Sequence, residues 1–80
     1  MTIRRLALPT SETVETDSRG RPIAIAERAV ETVGEEWLVE DRWWTGKPVR
    51  RRYFEAVLAD GRCAVVFCDL VTGRWFAQRG

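Results

Sequence analysis

The chain has 80 residues, 45% of them apolar and 31% charged, with a net charge of +1 and no histidine. That length accommodates one small domain, which buries only roughly 60% of the surface its unfolded chain exposes. The composition excludes collagen-like, low-complexity and wholly disordered chains, and the near-zero net charge removes the simple case for a strongly basic nucleic-acid binder.

The first segment, MTIRRLALPTS, carries a basic pair and only a short apolar run, too little for a signal peptide. No stretch approaches the ~20 apolar residues of a transmembrane helix, so a soluble, cytoplasmic protein without a membrane partner is expected. Residues 1–11 read as a frayed arm and 12–80 as a single domain. ETVET at 12–16 and PIAIA at 22–26 flank a turn signal, DSRGR. IAIAERAVETV at 23–33 has the Ala and Glu content of a helix. Ile23, Ile25, Val30 and Val33 do not hold one 3.6-residue stripe, so strands are favoured, with a short helix as the alternative. Gly34 interrupts the next apolar stretch and TGKP at 45–48 closes the one after. Each glycine thus falls where a turn is expected. YFEAVLA and RCAVVFC enclose Asp60-Gly61, a dipeptide that favours a tight two-residue primed hairpin turn. LVTG at 70–73 then leads into RWFAQ.

Recurrent turn signals with Val, Ile, Trp, Phe and Tyr between them indicate an all-β antiparallel meander. Alternation over 53–59 puts Phe54, Ala56 and Leu58 on one face and Tyr53, Glu55, Val57 and Ala59 on the other, with Glu55 marking the more solvated side. Over 63–68 both faces are apolar, the pattern of a central strand covered above and below. A short chain covers both faces of such a strand most economically by curling its sheet, which also removes exposed edges. The expected fold is a small barrel or roll of five to six strands, SH3-like.

Catalytic chemistry is hard to assemble. Without His there is no ready acid–base group near neutral pH and no Ser-His or Cys-His nucleophile pair. The carboxylates Glu35, Glu36, Glu40 and Asp41 read as a solvated rim, and the six glycines form no phosphate-binding loop. Cys63 and Cys68 are five apart on one strand and so face opposite ways. Neither a disulfide between them nor a zinc site fits, and both read as small buried hydrophobes. The chain is expected to be non-enzymatic, without cofactor or metal.

Charge and aromatics are unevenly placed. Residues 1–41 carry a balance of −4 and residues 42–80 a balance of +5, and twelve of the thirteen cations are Arg. The four Trp are Trp37, the adjacent pair Trp43-Trp44, and Trp75 beside Phe76. Adjacent strand residues face opposite ways, so one of Trp43 and Trp44 is expected in the core and the other on the surface or under an Arg. Arg stacks on rings and forms bidentate bonds to carboxylates and phosphates. The candidate binding residues are therefore Arg42, Trp43, Trp44, Arg50, Arg51, Arg52, Tyr53, Arg74 and Trp75.

DRWWTGKPVRRRYF at 41–54, DGR at 60–62 and DLVTGRWFAQR at 69–79 resemble a small bacterial domain of unknown function. A similar pattern closes the C-terminal region of ImuB-type relatives of Y-family DNA polymerases. The match is strong in the second half and weak over residues 12–40, and the polymerase-like body of the larger relatives is not in this sequence. The resemblance implies a binding or scaffolding module linked to DNA repair or translesion synthesis, with polymerase accessory proteins as partners. Two functions follow: a protein-interaction module with an aromatic patch and an Arg rim, or single-stranded nucleic-acid binding through Arg50, Arg51, Arg52, Arg74 and Arg79 beside exposed aromatics. Pairing of the second-half Arg with first-half Glu would favour the first. An unpaired Arg face beside an exposed Trp would favour the second.

Overall fold

The computed structural model describes residues 9–41 and 49–78, with only the backbone at Asp41. Within them the protein is all-β. The strands are β1 (Thr10–Ser11), β2 (Val14–Thr16), β3 (Pro22–Ile25), β4 (Arg28–Asp41), β5 (Val49–Leu58), β6 (Cys63–Asp69) and β7 (Trp75–Gln78). All pairings are antiparallel and the sheet order is β1-β7-β6-β5-β4-β3-β2. Residues 23–33 form no helix, as the failed helical stripe implies, but the end of β3, a turn at Ala26-Glu27 and the start of β4. Among the described residues no helix is long and apolar enough to cross a membrane.

The topology forces the sheet to curl. Laid flat, seven strands at about 4.8 Å spacing would hold the outer two roughly 29 Å apart. Those two, β1 and β2, are joined only by Glu12 and Thr13, three Cα steps that reach about 11 Å. Backbone bonds hold the link to both sides: Glu12 N–H donates to Trp75 O at 3.0 Å, and Thr13 O accepts from Ala26 N–H at 2.8 Å. Two residues of the expected arm, Thr10 and Ser11, thus belong to the sheet, paired with Ala77 and Phe76. The seven strands exceed the expected five to six because β1 and β2 have only two and three residues.

Two hairpin loops share one geometry. Asp17 N–H bonds Arg21 O at 2.9 Å while Gly20 N–H bonds Asp17 O at 3.0 Å, and Leu58, Gly61 and Arg62 repeat this at 2.8 and 2.9 Å. Each is a turn closed by a glycine at positive φ, +79° at Gly20 and +89° at Gly61. The expected two-residue primed turn at Asp60-Gly61 is therefore replaced by the three-residue loop Ala59-Asp60-Gly61. Asp60 stays at negative φ and only the last residue needs the left-handed region. The primed-type turn instead falls at Ala26-Glu27, with φ of 51° and 67°, where no Gly or Asn announces it and each residue bears strain.

Gly34 is not in a turn. It lies inside β4 at the second of two register shifts, between Val30 and Thr32 and between Val33 and Glu35. Each bulge inserts one residue, so each reverses which parity of β4 faces inward. Val30 opposite Leu58, Val33 opposite Ala56 and Glu36 opposite Phe54 all lie on the core side. The core is Ile25, Phe54, Ala56, Leu58 and Val66, with Val14, Val30, Val33, Ala64, Trp75 and Ala77 packed around it. Phe54, Ala56 and Val66 are wholly buried.

Candidate interaction surface

The cross-strand registers sort the side chains of β4 to β7 into two faces. On the inner face, beyond the core, Leu38, Arg52, Cys68 and Trp75 form one row, and Glu40 lies opposite Arg50. On the outer face the successive rows are Glu35–Glu55–Val65–Gln78, then Trp37–Tyr53–Phe67–Phe76, then Val39–Arg51–Asp69. An aromatic side chain thus occupies the same row on four neighbouring strands.

These rings form a continuous stack. Trp37 and Tyr53 are parallel with centroids 5.3 Å apart, Tyr53 and Phe67 are tilted at 4.9 Å, and Phe67 and Phe76 are stacked at 5.2 Å. The Arg51 guanidinium lies 4.7 Å from the Phe67 centroid, and its Nη1 reaches the Tyr53 hydroxyl at 3.5 Å. Phe67, inside the stack, is 2% exposed, and Trp37, at its β4 end, is 39% exposed. Offset aromatic pairs contribute about 0.5–1.5 kcal/mol each beyond their buried area. The Gly34 bulge places Trp37 on this face, because strict alternation from the inward Val33 would turn Trp37 inward.

Arg21, Arg28, Arg50, Arg52 and Arg62 are paired with carboxylates elsewhere. Arg52 faces inward: its Nε donates to Glu36 Oε2 at 2.7 Å, its Nη1 to Arg19 O at 3.3 Å, and its guanidinium lies 4.9 Å from the Phe54 ring. It fastens the 17–21 loop to the sheet, and Gly20 leaves room for it, since a Cβ there would sit 3.2 Å from Arg52 Nη1. Arg21 adds an ion pair to Glu36 at 3.8 Å. Within that loop, the N–H groups of Arg21 and then Arg19 hold the Asp17 carboxyl below its ordinary value, against some desolvation. Arg50 pairs with Glu40 at 2.9 Å, while Arg28 and Arg62 both approach Asp60.

Of the nine candidates, Tyr53 and Arg51 share the outer row system. Arg50 and Arg52 are bound to carboxylates, and Trp75 is half-buried against Phe54 at 5.6 Å on the core side. Arg74 is exposed beside the Asp69–Gly73 turn. Arg42, Trp43 and Trp44 lie outside the described residues, as does Arg79. Sequence reasoning passed over Trp37, Phe67 and Phe76 as surface partners of Tyr53. The available signal was Tyr53 and Phe67 on the non-core parity of adjacent strands.

Cys63, the first residue of β6, is exposed, contrary to the expectation of two buried thiols. Cys68 is half-buried on the other face of β6, and burial, followed by the Asp69 charge, pushes its thiol up while Arg52 opposes. The acidic residues divide too: Glu36 and Glu40 point inward to Arg, whereas Glu35 stands directly opposite Glu55 on the outer face. Among the described residues no group of three or more Cys, Asp and Glu could hold a metal ion. Comparisons of the chain with protein-family models, curated proteins and solved structures found no match in any of the three.

Proposed function

We propose that this protein is a non-enzymatic, cytoplasmic protein-interaction module whose working surface is the outer aromatic row. The observation that carries the reading is a four-ring stack placed opposite the core, open at Trp37. Phe67 is buried and Tyr53 and Phe76 are half-buried, whereas Trp37 at the end of the row is exposed, and Trp and Tyr with Arg are what interface hot spots use. Glu36 and Glu40 neutralise Arg52 and Arg50, which removes two of the cations that a phosphate-tracking groove would need. The absence of His from the sequence and the division of the carboxylates between two faces support a role without catalysis.

Counting β1 and β2 as two halves of one strand gives six, and the SH3-like barrel belongs to this proposal on that footing. So does the link to translesion synthesis and polymerase accessory proteins, which rests on the resemblance of 41–54 and 69–79 alone. A photo-crosslinking residue replacing Trp37 is expected to capture a protein partner, and one replacing the neighbouring Leu38, on the opposite face, to fail. Trp fluorescence titrated with single-stranded and duplex oligonucleotides at about 50 and about 200 mM salt should stay unchanged. Quenching that weakens by orders of magnitude across that range would establish phosphate contacts and replace this reading with nucleic-acid binding.

A further inference from the structure

The inner face shows how this sheet holds a guanidinium. Arg52 lies over the Phe54 ring at 4.9 Å and donates to the carboxylate of Glu36, the residue opposite Phe54 on β4, at 2.7 Å. A ring and a carboxylate on adjacent strands thus accept one planar cation together, through the π-face and through a charge-assisted hydrogen bond.

The outer face offers the same two acceptors in neighbouring rows. Trp37 and Tyr53 form one row, and Glu35 and Glu55, directly opposite each other, form the next. Among the described residues neither Glu35 nor Glu55 has a hydrogen bond or an ion pair. The Gly34 bulge brings them together, and Glu55 Oε1 lies 3.4 Å from where a Gly34 Cβ would stand. Like charges directly opposite on paired strands repel, so the arrangement disfavours the free sheet and favours a bound cation. The same two carboxylates oppose a phosphate backbone.

We propose that the outer face binds an arginine-bearing peptide segment of a partner protein. One guanidinium stacks on the Trp37–Tyr53 surface while its N–H groups bond the Glu35 and Glu55 carboxylates. Arg is preferred to Lys because a planar fork meets ring and carboxylate at once, which a compact ammonium does not. This recognition rests on the interaction-module reading and specifies its partner.

The test is an amide chemical-shift titration of the whole protein with three probes: an acetylated Gly-Arg-Gly-Arg-Gly amide, the same peptide with citrulline for arginine, and oligo(dT). The arginine peptide should shift Glu35, Trp37, Tyr53 and Glu55, and the neutral citrulline peptide should not bind. The Glu35→Gln/Glu55→Gln variant, with an unchanged circular dichroism spectrum, should bind the arginine peptide at least about tenfold more weakly. Equal binding of the citrulline peptide, shifts confined to other residues, or full affinity in the double variant would overturn the proposal. Binding of neither peptide would overturn it too, while leaving the module reading intact. Oligo(dT) binding on the same rows would overturn both.

Discussion

The two faces of β4 to β7 are built from alternate residues of the same strands, yet their chemistry differs. The inner face holds aliphatic residues with Phe54 and Trp75, and its charged margin is closed by Arg52–Glu36 and Arg50–Glu40. The outer face holds the ring row, with Glu35 and Glu55 beside it and, among the described residues, without an ion pair. A sheet that satisfies its cations on one side and leaves carboxylates opposed on the other spends its stabilising contacts inward. Among the described residues the outer row ends at β4 in an exposed ring, Trp37.

The largest effect should come from the inner face. Phe54→Ala removes a wholly buried ring, for which about 3–5 kcal/mol is expected, enough in a domain of this size to abolish a cooperative urea transition. Next, Arg52→Ala and Arg50→Ala should separate a committed arginine from a solvated one. Arg52 has a ring, a carboxylate and a carbonyl, so its loss should cost about 1–2 kcal/mol in urea unfolding. Arg50 has one exposed pair, so its loss should cost less than about 1 kcal/mol. Equal effects would mean that Arg52 does not fasten the 17–21 loop. The smallest effect is kinetic and leaves stability untouched. Thiol labelling near neutral pH should modify Cys63 first, with Cys68 lagging because its raised thiol is less ionised. The lag should shrink as pH rises through the ordinary thiol range, and labelling at equal rates would contradict the burial of Cys68.

How much of this was legible in the sequence differs from strand to strand. β5 keeps strict alternation, so Phe54, Ala56 and Leu58 could be assigned inward and Tyr53 and Glu55 outward from the sequence alone, and the structure agrees. β6, apolar on both sides, reads as covered on both, and Val66 and Phe67 are buried on its two faces while Cys63 at its start is exposed. β4 resisted because Val30, Val33 and Glu36 face inward at intervals of three, a spacing that belongs neither to a strand nor to a clean helix. It reflects two bulges, and parity after a bulge cannot be read without knowing the partner strand. Trp37 was therefore left without a face. The Arg–Glu pairs were equally hidden, since Arg52 meets Glu36 through the β4–β5 register and the 17–21 loop through the curl of the sheet. β1 is two residues long and carries no local signal. Its place is set by β7.

The division of labour between the faces is tested most directly at Trp37, by measuring urea unfolding and arginine-peptide binding on the same Trp37→Ala protein. Its ring is 39% exposed and stacks on Tyr53 alone among the described rings, so a stability loss of about 1 kcal/mol is expected together with loss of peptide binding. A core-sized loss of about 3 kcal/mol or more, with peptide binding retained, would show that the outer row serves the fold and would contradict the account.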